Sequence, residues 1–153
     1  MDLILWRHAE AFDAEDGDED LERALSARGE RQAARMATWL NQHLPATTRI
    51  LVSPARRAQQ TAAALERKVK TIEALAPAGT VPALLACARW PDAKEPVMVI
   101  GHQPTLGLVA AYLLAGVAQP WSVKKGAVWW LRRRDRDEDD QTVLVTVRGP
   151  ENV

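Results

Sequence analysis

The chain is short of several things at once, and each shortage removes a class of protein. It carries one cysteine, Cys87, in 153 residues. A single thiol can build neither a disulfide framework nor a cysteine-based zinc site, so Cys87 reads as a small core residue. Net charge is also missing, since 20 Lys and Arg balance 20 Asp and Glu. Nucleic-acid partners normally require a basic excess, and none is expected. No apolar run reaches the roughly 18 residues of a membrane span; the stretch 106–116 comes nearest and is too short. The N-terminus lacks cationic, apolar and small-residue zones in series, so no signal peptide is expected, and a soluble cytoplasmic protein is. Glycine-rich nucleotide loops, internal repeats and low-complexity linkers are absent as well. One domain over 1–153 is therefore expected. A domain of that size buries roughly two-thirds of its unfolded surface, enough for a core without staples.

What is present is strong alternation. Leu3-Ile4-Leu5-Trp6, Arg49-Ile50-Leu51-Val52 and Pro96-Val97-Met98-Val99-Ile100 are short continuous apolar runs. Such runs mark strands covered on both faces. Ser26 looks like an N-cap, and Ala33, Met36, Ala37, Leu40 and Leu44 keep helical spacing until Pro45. Ala58, Thr61, Ala62, Leu65 and Val69 predict a second helix, Thr71-Ile72 a short strand, and 82–89 a short helix. Pro104 opens a further helix that closes near Gly116. It is apolar nearly all round, which predicts a central position. Residues 127–132 and 142–147 predict an antiparallel pair at the sheet's edge. The acidic block 13–20 and the charged block 132–140, running into Asp137-Glu138-Asp139-Asp140, read as solvated loops. Strand–helix alternation followed by a hairpin predicts a three-layer α/β/α sandwich, mainly parallel, ahead of ferredoxin-like or other α+β layouts.

The unusual polar residues fall at strand ends. Arg7-His8 follows the first strand, Ser53-Pro54 and Arg57 the second, and Gly101-His102 the apolar strand at 96–100. Ligands of open α/β sheets bind beyond the carboxyl ends of strands. Two arginines and two histidines thus converge on one edge, which core packing does not require. Arginine forks match phosphate oxygens, and Arg57 falls in the first turn of a helix, where free N–H groups favour an anion. His8 among these cations can attack phosphorus, with neighbouring positive charge keeping it neutral.

Four segments resemble the histidine phosphatase (phosphoglycerate-mutase-like) superfamily. Arg7-His8-Ala9-Glu10 resembles its Arg-His-Gly signature, with Ala9 in place of the frequent glycine. Arg23-Ala24-Leu25-Ser26-Ala27-Arg28-Gly29 resembles its Arg-x-Leu-[Ser/Thr]-x-x-Gly stretch. The segment from Ser53-Pro54 through Arg57 to Thr61 resembles its second arginine motif, and Gly101-His102-Gln103-Pro104 its second histidine motif. Order, spacing and length are most similar to short SixA-type phosphohistidine phosphatases, over most of the chain.

The resemblance implies His8 as nucleophile, Arg7, Arg57 and His102 as holders of the phosphoryl group, Arg23 as an accessory phosphate contact, and Ser53 and Thr61 in supporting roles. It implies no cofactor and no metal. Larger relatives place a glutamate after the third strand to protonate the leaving group. Here Ala74 stands at that point with Glu73 one residue early; Glu10 and the acids of 13–20 are alternatives. A missing acid fits a phosphohistidine substrate, because an N–P bond is labile once its nitrogen is protonated. Few residues remain for a lid over small metabolites, which fits a phosphorylated protein, such as a histidine-containing phosphotransfer domain of a signalling relay, acted on by a monomer. Two alternatives share the same residues: a phosphatase of small phosphate esters, and a non-catalytic module that binds phosphorylated partners. An intact His8 speaks against the module.

Other residues have simpler readings. His43 lies in a last helical turn, where a cation is favoured. No metal-type spacing links His8, His43 and His102. Arg56 points roughly 100° from Arg57 on a helix, toward solvent or a docking partner. Of the six tryptophans, Trp6 and Trp39 read as core, and Trp90, Trp121, Trp129 and Trp130 as lying near the sheet edge.

Overall fold

The computed structural model describes residues 1–136 and 139–153, and of 135, 136, 139 and 140 the backbone alone. Three strands with apolar centres dictate the architecture. Strand β1 (Asp2–Arg7), β2 (Arg49–Val52) and β4 (Val97–Gly101) present alternate side chains to opposite faces. Ile4, Trp6, Ile50, Val52, Met98 and Ile100 enter one core. Leu3, Leu5, Leu51, Val97 and Val99 enter another. Each face therefore needs its own cover. Helices α1 (Ala27–His43) and α2 (Arg56–Ala63) supply Met36, Leu40, Ala58 and Ala62 to the first. Helices α3 (Val81–Cys87) and α4 (Thr105–Ala115) supply Leu84, Leu106, Val109 and Ala110 to the second. Burying each of the Leu, Val and Met side chains among these contributes about 1.5–3 kcal/mol.

With β3 (Lys70–Thr71), β5 (Val128–Arg136) and β6 (Asp139–Arg148), the sheet runs β3-β2-β4-β1-β5-β6. Pairs β2–β3, β2–β4 and β1–β4 are parallel; β1–β5 and β5–β6 are antiparallel. The expected α/β sandwich with an antiparallel C-terminal hairpin is the observed one.

Register sets the site. Arg7 lies opposite Gly101, and Val52 opposite Ile100. The ladder then continues one residue further, with His8 N–H donating to Gly101 O and Ser53 N–H to Ile100 O, each at 3.1 Å. His8, Ser53 and His102 therefore leave neighbouring strands at one level. Helix α1 is pinned to the same edge. The Ser26 hydroxyl accepts from Gly29 N–H at 3.1 Å and donates to the Glu10 carboxylate at 2.7 Å. A side chain on Gly29 would overlap the Glu10 carbonyl, so the glycine of that motif is a packing requirement.

Several local expectations need correction. Helix α2 ends at Ala63, short of Val69, and the chain then turns through Glu66 at φ +53°. Helix α4 is not central. It covers one sheet face, and Tyr112 on its outer side is exposed. A helix on the outer layer has a solvent side whatever its composition. Both hairpin strands run on into the charged block, because ladder pairing tolerates charged side chains on an edge; Asp137 and Glu138 lie outside the described residues. Trp130 is buried and donates to Asp2 Oδ2, since β5 has neighbours on both sides. Trp39 is only partly buried, stacked on the exposed His43 at 4.4 Å. No helix among the described residues is long and apolar enough to cross a membrane.

Candidate active site

Four side chains meet beyond the carboxyl ends of β1, β2 and β4. His8 is 6 % exposed, Arg57 3 % and His102 4 %. The two imidazole rings lie 5.2 Å apart, tilted by 53°. Arg7 stands beside them, its Nη1 donating to Val123 O at 2.9 Å.

The hydrogen bonds assign both tautomers. His8 Nδ1 lies 2.7 Å from Ala9 O. A carbonyl only accepts, so Nδ1 carries the proton and Nε2 of the neutral ring keeps a free lone pair. His102 Nε2 lies 2.7 Å from Ser53 Oγ, which already accepts from Ala55 N–H. The Ser53 hydroxyl has no other acceptor among the described residues, so its proton points at Nε2 and the His102 proton sits on Nδ1. That Nδ1, Arg7 Nε and Arg57 Nε are buried and have no partner among the described residues. Buried donors are normally satisfied. Three unsatisfied ones in a single site match an absent acceptor-rich ligand.

Electrostatics agree with the tautomers. Burial pulls His8 down to about 4, with the positive charges of Arg57, Arg7 and Arg23 adding to it against the Ala9 hydrogen bond. Burial, His8 and Arg57 pull His102 down to about 3. Both rings are neutral at physiological pH. Burial, and then the positive charge of Arg57, also lower the Arg7 pKa.

Helix α2 places Arg57, and Thr61 one turn later fixes it to the His8 loop. Thr61 Oγ1 accepts from Ala9 N–H at 3.1 Å and donates to Arg57 O at 2.8 Å. Arg56 is exposed on the same helix.

The structure also singles out a residue that sequence reasoning named only collectively, among the acids of 13–20 that could serve as proton donor. Asp20 begins a 3-10 turn, Asp20–Glu22, in the segment joining β1 to α1. Arg57 Nη1 donates to its carbonyl at 2.8 Å and Nη2 to its carboxylate at 3.1 Å. Arg23 Nε donates to the same carboxylate at 3.0 Å. Partial burial raises the Asp20 pKa, but hydrogen bonds and charge from Arg57 and Arg23 more than reverse this, and it ends below the ordinary value. The spacing Asp20-x-x-Arg23 was the available signal. Arg23 is thus tied to Arg57 through Asp20, and its Nη1 donates to Phe12 O at 3.0 Å.

The other candidate acids do not join the cluster in this way. Glu10 is bonded to the Ser26 hydroxyl. Glu73 is exposed on a 3-10 turn after β3 and makes no side-chain bond among the described residues. No group of three or more His, Cys, Asp or Glu able to hold a metal occurs among the described residues.

Comparison with known proteins follows the same lines. Residues 3–79 match the model of the histidine phosphatase superfamily, branch 1. An uncharacterised protein of Picosynechococcus is 35% identical over 160 residues, covering 95% of this chain and 96% of that one. Phosphohistidine phosphatase SixA of Escherichia coli is 31% identical over 128 residues, covering 78% of each. The solved structure of the protein histidine phosphatase SixA complexed with tungstate superposes with a TM-score of 0.78 at 28% identity, covering 99% of both chains.

Proposed function

The chain belongs to the histidine phosphatase superfamily, and from that premise we propose that it removes phosphate from phosphohistidine on a protein, through a covalent phosphoryl group on His8. The observation that carries the reading is the free Nε2 of a neutral, buried His8 beside three buried donors without partners.

The chemistry follows from the donors. The phosphoryl group enters between Arg7, Arg57 and His102, whose N–H groups match its oxygens. His8 Nε2 attacks phosphorus, a new N–P bond forms, and the bond to the leaving nitrogen breaks. The clamp stabilises charge on the three equatorial oxygens. Water then attacks the phosphorylated His8, releasing phosphate and restoring the lone pair. Tungstate, an oxyanion with phosphate-like geometry, is a ligand of the similar SixA structure, which supports this clamp as an oxyanion site.

Two features favour a protein-borne phosphohistidine. The acid nearest the clamp, Asp20, is held in its charged form by Arg57 and Arg23. It is a poor proton donor, which an alkoxide leaving group needs and a protonated imidazole does not. The same loop presents Phe12 at 60% exposure and Leu21 at 43%. Exposed apolar side chains beside a pocket suit docking of a protein surface. Asp20 and the phosphoryl group share one guanidinium, the Asp20 carboxylate on Arg57 Nη2 and the phosphoryl group at the unpaired Nε, and so compete for its charge.

The test is loss of label from a phosphotransfer domain phosphorylated on histidine, with His8→Ala alongside. Rapid loss with the unaltered protein and none with the variant is the expected result. Persistent label together with steady hydrolysis of small phosphate esters would replace the protein substrate by a metabolite. Oxyanion binding with no turnover of either would leave only a binding module.

A further inference from the structure

The opposite end of the same strands carries a second concentration of positive charge. A cleft of about 900 Å³ opens at the amino ends of β2 and β3. Arg49, Arg67, Lys68, Lys70 and Arg89 line it, and no aspartate or glutamate does. In a chain of zero net charge, such segregation is not a matter of composition. Among the described residues none of the five is in an ion pair. Like charges gathered without counter-ions repel one another, and an anion relieves that.

The five are not equivalent. Arg67 is spent on structure: its guanidinium donates to Asn41 Oδ1, Pro45 O and Leu44 O, closing the carboxyl end of α1. It contributes charge but few free donors. Arg49 is the opposite case. It begins β2, is partly buried, and its Nη1 is fully shielded from solvent with no hydrogen-bond partner. Outside the active site it is the one orphaned side-chain donor of this kind among the described residues. Lys68, Lys70 and Arg89 are exposed and make no side-chain bond among those residues. Arg89 takes φ +55° just past α3, where glycine is the usual residue. Backbone preference therefore does not explain the arginine.

The cleft is not purely polar. Leu44, Ile50, Leu51 and Val69 also line it. Its volume falls within the range of small-molecule sites. A ligand that uses all of it carries several negative charges together with an apolar group. We propose that this cleft binds a nucleoside di- or triphosphate, with Arg49, Lys68, Lys70 and Arg89 on the phosphates and the base on the apolar wall. The site is separate from His8. Arg49 at the start of β2 and Ser53 just past its end are four residues apart, roughly 13 Å along the strand, and the proposal does not rest on the reading of the active site.

Calorimetric titration of the full-length His8→Ala protein with adenosine triphosphate tests it, with saturating tungstate present to occupy the carboxyl end. One bound nucleotide is expected, unaffected by tungstate and weakened at least about tenfold by Arg49→Gln or Lys70→Gln, a loss of one charge-assisted contact. Lys70 is exposed, so its variant keeps the fold and stands even if Arg49→Gln does not. Absence of heat, competition by tungstate, or indifference to both substitutions would overturn the site. Inorganic triphosphate binding as tightly as the nucleotide would overturn the apolar half of the assignment. Binding of a glutamate-rich peptide in place of the nucleotide would overturn the ligand class.

Discussion

The two ends of the central strands are both cationic, yet they hold their charge differently. At the carboxyl end Arg7 and Arg57 are drawn in beside two imidazoles, each guanidinium fixed by some of its N–H groups and left open at Nε. At the amino end Lys68, Lys70 and Arg89 stand exposed, and no histidine is present. Positive charge alone recruits an anion. A buried neutral imidazole with one nitrogen satisfied and the other free is what allows a bond to be made to it.

Experiments that break or sharpen this contrast can be ranked by effect. Replacing His8 with alanine removes the proposed nucleophile but no cation. Turnover should fall at least about a thousandfold while tungstate still binds. Steady-state kinetics beside calorimetry read both quantities, and appreciable residual turnover would erase the distinction between the ends. Arg57→Ala comes next. Loss of a fixed donor to the developing charge should lower kcat/KM by about a hundredfold or more and weaken oxyanion binding with it. Arg57→Lys should restore only part, since a point charge lacks the fork.

Ser53→Ala acts one step removed. His102 would lose the hydroxyl that fixes its tautomer, worth roughly one hydrogen bond, or about tenfold in kcat/KM. Ser53→Thr should recover much of it, and an unchanged rate would mean that packing alone orients the ring. Asp20→Asn is smaller still and opposite in sign. Removing the charge that competes for Arg57 should tighten inorganic phosphate severalfold in an inhibition assay. Weaker inhibition would make Asp20 a positioning residue for the clamp.

The last prediction concerns pH. His8 and His102 have folded pKa values of about 4 and about 3, below the ordinary 6.5. Below pH 6.5 the unfolded chain binds protons that the folded chain refuses. Stability should therefore be full above 6.5 and decline as pH falls toward 4. Thermal denaturation between pH 7 and 4 measures this, and His102→Gln should make the decline shallower. The rate should show no His8 ionisation between pH 5.5 and 8.

Much of this was legible in the chain because short apolar runs cut off by polar residues suit strands covered on both faces. Leu3-Ile4-Leu5-Trp6 and Val97-Met98-Val99-Ile100 each predict a strand covered on both faces, and polar residues directly after such strands predict a shared edge. The limits of α2 and the outer position of α4 were not legible. A helical pattern does not say where a turn such as that at Glu66 will intervene, nor which side of an apolar helix is left facing water. Asp20 was hidden for a related reason. An acidic run looks solvated until a specific arginine closes on one of its members.

The sequence by itself determined the order of strands and helices, the residues at the strand ends and the absence of cysteine- or glycine-rich devices, because these depend on local pattern and composition. Only the tertiary structure decided which nitrogen of His8 is free, which donors stay unpaired, that Asp20 rests on Arg57, and that Arg49, Lys68, Lys70 and Arg89 share one cleft. Those facts depend on distances of about 3 Å between residues far apart in the chain, and such distances are set when the layers pack.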